Sequence, residues 1–327
     1  MPVAGLTLNE IYSPVKKDLE SFSDRLKGEL SSEDPLIRDI HAHILKMSGK
    51  FLRPALTLLS SKIGTRENPD AVKLAVAIEL IHTATLVHDD IIDNSDLRRN
   101  QPSIHAKWGR EISIVAGDYL YAKAFMMLAD LKDPWLSQAL SACAHVMCEG
   151  EMKQIETRRD FLMKEAVYLK IIHQKTAALF QAACMGGAYF SGADPDTIKK
   201  MGDYGYRLGM AFQIVDDCLD LVGETERLGK NVGLDIYKND VTLPLLYLFQ
   251  DLEGGEKRVL LLEIQNRTPR LFGKVRALAI QKKSVERAMA RAHDYVQKGL
   301  GDLAGIPGSA HKESLAHLAQ YCLERFQ

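Results

Sequence analysis

Two aspartate clusters of the same form lie far apart in the chain: Asp89-Asp90-Ile91-Ile92-Asp93 and Asp216-Asp217-Cys218-Leu219-Asp220. In each, the outer aspartates are four residues apart, so on a helix they lie on one face about one turn apart. Crowded carboxylates beside apolar residues repel one another unless cations are present. Two such clusters facing each other would bind Mg²⁺ through oxygen atoms and leave coordination positions for substrate phosphates.

The alternative for these clusters is a pair of solvated acidic helix ends. A single motif of this kind is short and degenerate, so it would not decide between the two interpretations. Two copies, each preceded by an apolar helical run, favour the metal site.

Histidine and arginine side chains accompany the first cluster. His82 lies seven residues before Asp89 and eleven before Asp93, which places all three on one helix face. Arg98 and Arg99 follow the cluster, and guanidinium groups bind phosphates well. Alone, the two arginines would be typical of surface charges; after a carboxylate cluster they indicate a diphosphate substrate.

Further cations lie outside the first cluster. Lys50 and Arg53 are three residues apart at the predicted start of a helix, so they can converge on an anion, although a lone pair of this spacing is usually solvated. Lys175 lies in mid-helix within apolar sequence, where a buried ammonium needs a counter-charge. The alternative is a packed lysine stem with its head in water. Lys230 lies in a glycine-containing stretch, 223–235, that is predicted to be a mobile loop able to close over phosphates.

Helical periodicity runs through nearly the whole chain, and strand patterns with a period of two are lacking. No composition shift or linker divides the sequence, so a single all-α domain over residues 1–327 is predicted. Breakers rich in Pro, Asp and Gly separate the helices. The predicted helical segments are 71–88, 112–130, 136–157, 165–190, 197–222, 241–251, 256–266, 284–300 and 311–326.

Composition narrows the class of protein. The formal net charge is −1, so bulk electrostatics gives no indication of a nucleic-acid partner. Five scattered cysteines suit free thiols in a reducing cytosol. The N-terminus does not resemble a signal peptide, and no apolar run is expected to reach membrane-spanning length. These features predict a cytoplasmic protein without a transmembrane segment.

The motifs together resemble the all-trans polyprenyl (E-isoprenyl) diphosphate synthase family, in family order and over nearly the full length. The residues that carry this resemblance are Gly49-Lys50-x-x-Arg53-Pro54, Ile81 to Asp93 with both His82 and His88, Leu97-Arg98-Arg99, Gly117-Asp118, Glu149-Gly150-Glu151, Lys175-Thr176, Phe212-Gln213-Ile214-x-Asp216-Asp217-x-x-Asp220, and Thr242-Leu243-Pro244-Leu245.

The resemblance implies an isoprenoid synthase-type helical bundle around a central apolar tunnel, usually as a homodimer. It implies that Mg²⁺ and an allylic diphosphate, farnesyl or geranylgeranyl diphosphate, bind at the aspartate clusters. The implied metal-binding residues are Asp89, Asp93 and Asp216, with Asp90, Asp217 and Asp220 in direct or water-mediated support. Arg98, Lys175 and Lys230 would neutralise the departing diphosphate.

Isopentenyl diphosphate would bind to Lys50, Arg53, His82 and Arg99, and its double bond would attack the allylic cation. The carbonyl of Thr176 and the side-chain oxygen of Gln213 would stabilise that cation. Ala84 and Thr85, one turn before the first aspartate, are small, which predicts a deep tunnel and a long quinone-type side-chain precursor. A short-chain farnesyl or geranylgeranyl diphosphate synthase is the alternative.

The chain departs from the family at Asn239-Asp240-Val241, where the family often has Gly-Lys before the residue that precedes Thr-Leu-Pro. Asp240 cannot contact a diphosphate as that lysine does, and Lys238 is the candidate substitute. A class I terpene cyclase would leave Lys50 and Arg53 without a role, and its second motif has a different form. An HD-type phosphohydrolase would leave the second cluster unexplained. A non-catalytic subunit of a heteromeric synthase is the non-enzyme alternative, although such subunits typically lack the aspartate motifs.

Overall fold

The structure is a computed structural model, and it describes residues 5–47, 49–223 and 233–325. Nearly every element is a helix, which confirms the predicted all-α fold class. The helices are α1 Leu8–Ile11, α2 Lys16–Glu29, α3 Pro35–Lys46, α4 Leu52–Ser60, α5 Ala71–Ile92, α6 Ile104–Trp108, α7 Arg110–Ala129, α8 Pro134–Thr157, α9 Glu165–Ile172, α10 Ala178–Phe190, α11 Pro195–Val222, α12 Leu234–Lys238, α13 Leu243–Asp251, α14 Gly254–Gln265, α15 Leu271–Gln281, α16 Ser284–Ala304 and α17 Ala310–Glu324. A 3₁₀ turn covers Ser13–Val15, a π-helical segment covers His173–Ala177, and two short strands are β1 Leu97–Arg98 and β2 Gln101–Pro102.

The chain forms two compact units, each assembled from separate stretches. The first unit comprises Met1–His145, Leu179–Gly205 and Leu300–Leu318; the second comprises Val146–Ala178, Tyr206–Gly299 and Ala319–Gln327. The first aspartate cluster belongs to the first unit and the second cluster to the second unit. That both units act as one domain over residues 1–327 stays a prediction.

Helix α5 is the central helix of the first unit and packs against α7, α4 and α2. Its apolar residues on almost every face predict an interior helix, and the structure confirms this, because Leu74, Ile78 and Ala84 are fully buried. The helix extends beyond the predicted segment 71–88 and ends at Ile92, with Asp93 as its C-cap. Asp89 and Asp90 therefore lie in its last turn.

A helix is predicted over 165–190 in one piece, and this prediction is wrong in one respect. The α-helical hydrogen bonding is interrupted over His173–Ala177, where the chain makes a π-helical turn in which the Ala178 N–H donates to the His173 carbonyl. Such turns insert one extra residue into a helix and are frequent at functional sites. Apolar periodicity does not reveal them, since the helix on either side stays in pattern.

A short hairpin follows the first cluster. Strands β1 and β2 pair antiparallel, and Arg99 and Asn100 form the turn with φ of 51° and 60°. Two central residues with positive φ are typical of a tight hairpin turn. The hairpin fixes the direction in which the chain leaves α5, and so fixes the positions of Arg98 and Arg99.

Two helices, Ala71–Ile92 and Arg110–Ala129, are long and apolar enough to cross a membrane by length and composition alone. The expectation that no apolar run reaches that length is therefore wrong by this measure. In the most apolar window of Ala71–Ile92, however, 61% of the residues are buried inside the protein. That burial is typical of the core helix of a globular protein. In Arg110–Ala129 the buried share is 33%, and one or two helices of this kind are weak evidence for a membrane span. All five cysteines are free thiols, as predicted.

Candidate active site

The C-terminal end of α5 carries the first aspartate cluster. Asp90 is buried and binds Arg98, whose Nε and Nη2 donate to its carboxylate at 2.7 to 2.9 Å. Such a bidentate pair is stronger and more directional than a simple ion pair. Asp90 therefore supports Arg98, whereas Asp89 and Asp93 are half-buried at the helix end.

Arg53 and His82 meet in the first unit. Arg53 Nη1 lies 3.1 Å from His82 Nε2, and the guanidinium lies over the Phe180 ring at 4.5 Å from its centroid. Burial lowers the pKa of His82 well below its usual value, and the nearby charges of Arg53, Arg99 and Arg98 lower it further. The imidazole is therefore neutral and accepts the hydrogen bond from Arg53. Arg53 and His82, both assigned to isopentenyl diphosphate, are thus in contact with each other, and their binding of that substrate stays a prediction.

Arg99 reaches back from the hairpin to the loop that carries Lys50. Its Nη1 donates to the Met47 carbonyl at 2.6 Å, and its guanidinium lies where a side chain at Gly49 would have to be. Glycine at position 49 therefore permits this approach, and any side chain there would displace the Arg99 guanidinium. Lys50 itself is exposed, and its backbone carbonyl accepts from the Tyr12 hydroxyl at 3.0 Å.

Glu79 is a buried carboxylate that the sequence shows only as an interruption of the apolar run. Burial raises its pKa to about 7, while the charges of Arg53 and Arg99 oppose that rise. It also lines a pocket of the first unit together with apolar residues of α2, α3 and α5. Ala84 and Thr85, predicted to line a tunnel, are not among the residues lining that pocket.

Asp217 is the best-connected residue of the second cluster. It is buried, and it accepts hydrogen bonds from the Tyr168 hydroxyl at 2.6 Å and from Gln213 Nε2 at 2.7 Å. The pKa of Asp217 is raised to about 7, mainly by burial. The two hydrogen bonds lower the pKa, and the charges of Asp216 and Asp220 raise it. A divalent cation nearby would favour the ionised carboxylate.

Asp216 and Asp220 make different contacts. Asp216 binds Arg325 at 2.7 Å, and the Arg325 guanidinium lies 4.5 Å from the centre of the Phe212 ring. Asp220 accepts from the backbone N–H of Asp235 at 3.1 Å. Arg325 is a residue that sequence reasoning missed, because a lone arginine far from the motif carries no local signal.

The π-helical segment presents Lys175 and Thr176. Lys175 Nζ lies 2.5 Å from Glu151, so the counter-charge that a buried lysine needs comes from this glutamate. The Thr176 hydroxyl donates to Gln213 Oε1 at 2.7 Å. Gly150 lies directly against the segment, since a Cβ there would be 2.7 Å from that of Gln174. The Glu149-Gly150-Glu151 motif therefore acts by packing closely and by pairing with Lys175.

The departure at Asn239-Asp240 has a structural explanation. Asp240 is buried and binds Arg158 Nε at 2.8 Å, and Asn239 has a φ of 62°, a conformation that glycine adopts most easily. Asp240 thus forms an ion pair within the second unit, and Lys238 is half-buried beside it. Lys230 lies outside the described residues, as does most of the predicted loop 223–235.

The donor set at both clusters consists of carboxylate oxygens, which suits a hard cation. Within residues 5–47, 49–223 and 233–325, no three His, Cys, Asp or Glu side chains form a complete metal cage. Mg²⁺ is usually bound by one or two carboxylates together with waters and substrate phosphates, so a preformed cage is not required. Asp89, Asp93 and Asp216 are therefore chemically suited to hold Mg²⁺.

Comparison with known proteins identifies the class. Residues 34–279 match the polyprenyl synthetase family. The chain is 35% identical to "heptaprenyl diphosphate synthase component 2" of Geobacillus stearothermophilus, covering 98% of this chain and 99% of that protein. It is 32% identical to octaprenyl diphosphate synthase of Haemophilus influenzae, covering 98% of both. A crystal structure of polyprenyl synthase from Caulobacter crescentus, complexed with calcium and isoprenyl diphosphate, superposes with a TM-score of 0.94 at 33% identity over 100% of both chains.

The chain belongs to the polyprenyl synthetase family. Its relatives are prenyl diphosphate synthases, and its enzyme class is that of the trans-prenyltransferases. The family resemblance inferred from the motifs is thereby confirmed.

Proposed function

We propose that this enzyme is a Mg²⁺-dependent synthase that condenses isopentenyl diphosphate with an allylic diphosphate into a long-chain all-trans polyprenyl diphosphate. The observation that carries this proposal is the arrangement at the end of α5. There Asp89 and Asp93 are followed directly by Arg98, and one face of the same helix carries His82 in contact with Arg53. Carboxylates for a metal beside cations for phosphates suit diphosphate chemistry.

The metal-binding residues are Asp89 and Asp93 in the first unit and Asp216 in the second. Bound Mg²⁺ would supply charge neutralisation of the leaving diphosphate. Asp90 holds Arg98 in place, and Lys175 adds a positive charge beside Glu151. These residues lower the barrier to ionisation by stabilising the negative charge that develops on the leaving group. Lys230 is proposed to join them.

The second substrate, isopentenyl diphosphate, binds to Lys50, Arg53, His82 and Arg99. The neutral imidazole of His82 accepts from Arg53 and so orients the guanidinium. The Thr176 carbonyl and the Gln213 side-chain oxygen stabilise the allylic cation, because carbonyl oxygens carry partial negative charge without being strong nucleophiles. Water has to be excluded, since it would trap that cation.

Arg53→Ala is expected to raise the KM for isopentenyl diphosphate about tenfold or more and to change kcat much less. A phosphate contact made equally in the ground state and the transition state acts on binding. Steady-state kinetics with each substrate varied in turn measures this. Arg25→Ala, which removes an exposed arginine paired with Glu29, is the matched control and should leave both KM values unchanged. A rise confined to the KM of the allylic substrate would contradict the assignment.

The same proposal has four further parts: a long product, its use as a quinone side chain, a cytoplasmic location and a homodimer. Ala84 and Thr85 support the long product, because small residues one turn before Asp89 leave room for a growing chain. Helix α7 supports a homodimer, since Val115 and Met126 are both 64% exposed and offer apolar surface for an isologous contact.

One assay tests the proposed function. The protein is incubated with isopentenyl and farnesyl diphosphate and Mg²⁺, and the dephosphorylated products are separated by chromatography. Products longer than geranylgeranyl are expected, and excess chelator should abolish turnover. Full activity in chelator would overturn the metal requirement, and products no longer than geranylgeranyl would favour the short-chain alternative.

A second candidate function is that of one component of a two-component synthase. The name of the Geobacillus stearothermophilus relative, "component 2", supports it. The same assay with the purified chain alone distinguishes the two, because a catalytic component that needs a partner would form no product until that partner is added.

A further inference from the structure

Tyr168 has no role in the chemistry described so far, although it contacts the second aspartate cluster directly. It lies in α9, is 3% exposed, and its hydroxyl donates to Asp217 Oδ2 at 2.6 Å. The contact joins residues 49 positions apart in the sequence. A tyrosine hydroxyl buried in this way is held in one geometry, because its ring is fixed by packing.

The other oxygen of Asp217 is also occupied. Oδ1 accepts from Gln213 Nε2 at 2.7 Å, one turn earlier on α11. Both oxygens of Asp217 thus act as acceptors, and the one that faces Gln213 pairs with the NH₂ end of the glutamine amide. The amide oxygen then has to face the other way, and it accepts from the Thr176 hydroxyl at 2.7 Å.

The orientation of this amide decides its effect on a nearby cation. With the oxygen towards Thr176, the amide presents partial negative charge and keeps one lone pair beyond the hydrogen bond from Thr176. A flipped amide would present N–H groups, which carry partial positive charge and would repel an allylic cation. The oriented form is therefore the one that can stabilise the transition state.

We propose that Tyr168 is a positioning residue that acts through Asp217 to hold the Gln213 amide with its oxygen on the Thr176 side. This rests on the cation-stabilising role proposed above for Gln213. Asp217 then serves mainly as an acceptor for two protein donors, whereas Asp216, bound to Arg325, remains the proposed metal-binding carboxylate of the second cluster.

The test is a double-mutant cycle. Tyr168→Phe keeps the ring and removes only the hydroxyl, and it is expected to lower kcat about 10- to 100-fold while both KM values stay within about threefold. In the Gln213→Ala background, Tyr168→Phe should have no further effect on kcat, because the residue through which it acts is gone. Equal factors in both backgrounds would overturn the proposal.

Two further measurements separate positioning from a loss of structure or of metal. Calorimetric titration with Mg²⁺ alone should give the same affinity for Tyr168→Phe and wild type, whereas a loss as large as that of Asp216→Asn would contradict the proposal. Tyr189→Phe is the matched control, since it removes a hydroxyl bound to Asp133 at 3.0 Å in the first unit. It should leave kcat unchanged.

If Tyr168→Phe does not fold, Asp217→Asn replaces it in the cycle, because an amide at 217 can pair with either end of the Gln213 amide. Asp217→Asn should then lower kcat in the wild-type background and have no further effect on kcat in the Gln213→Ala background. An unchanged kcat for Gln213→Ala in an enzyme that still makes polyprenyl products would overturn the role given to Gln213 and this proposal with it. Absence of any condensation by wild type would instead overturn the proposed function.

Discussion

Asp216→Ala is expected to lower kcat by about three orders of magnitude or more, and Asp89→Ala by a similar factor. Each change removes a carboxylate suited to hold Mg²⁺. The adjacent aspartates are poor replacements, because Asp90 is buried against Arg98 and Asp217 is buried with hydrogen bonds to both of its oxygens. Single-turnover kinetics with saturating substrates measures the chemical step directly.

Asp203→Ala provides the control for Asp216→Ala. Asp203 lies on the same helix and binds Lys199 at 2.6 Å in an exposed pair four residues apart. Such surface pairs contribute little to stability, and Asp203 lies outside the aspartate cluster, so the variant should stay folded and keep wild-type kcat. Thermal unfolding checks that Asp216→Ala remains folded although Arg325 loses its partner. Near-normal turnover of folded Asp216→Ala would contradict the metal assignment.

Ala84→Phe is expected to shorten the product from a long polyprenyl chain to farnesyl or geranylgeranyl size while isopentenyl diphosphate is still consumed. Ala84 is fully buried, one turn before the first aspartate. A phenyl ring there would oppose late elongation steps and spare early ones; overpacking of this kind costs about 1–3 kcal/mol where the walls cannot yield. Chromatography of the dephosphorylated products measures the change.

A graded series sharpens this experiment. Ala84→Val, Ala84→Leu and Ala84→Phe should shorten the product in that order if side-chain volume sets the limit. Unchanged length across the series, in folded and active variants, would place the growing chain elsewhere. A wild-type product that already stops at geranylgeranyl would replace the long-chain assignment with the short-chain one.

The spacing of residues in the sequence predicts which side chains share a face of one helix. The spacing of His82, Asp89 and Asp93 follows from helical geometry, and α5 confirms the helix that carries them. The apolar faces also predict the interior position of α5. Helix ends are predicted less well, because they depend on caps and neighbours: α5 continues to Ile92, although the apolar pattern predicts a helix only to residue 88.

Local sequence patterns do not predict contacts between side chains that are far apart in the sequence. Arg325 binds Asp216 across 109 residues, and Tyr168 binds Asp217 across 49. Neither residue stands in a motif, and both would be ordinary in a helix of any protein. Only the tertiary packing shows that the two aspartates, adjacent in sequence, have different partners and so different tasks.

The π-helical turn at His173–Ala177 separates the stability of this helix from its chemistry. A π turn holds one residue more than an α-helical turn, and because the turn is wider it absorbs that residue while the flanking helices keep their faces. Deleting a single residue there would restore an unbroken α-helix and leave the buried residues of α10, such as Cys184, in the core. The deletion would, however, remove the turn that presents Thr176 to Gln213. The expected variant is therefore folded and stable but low in kcat.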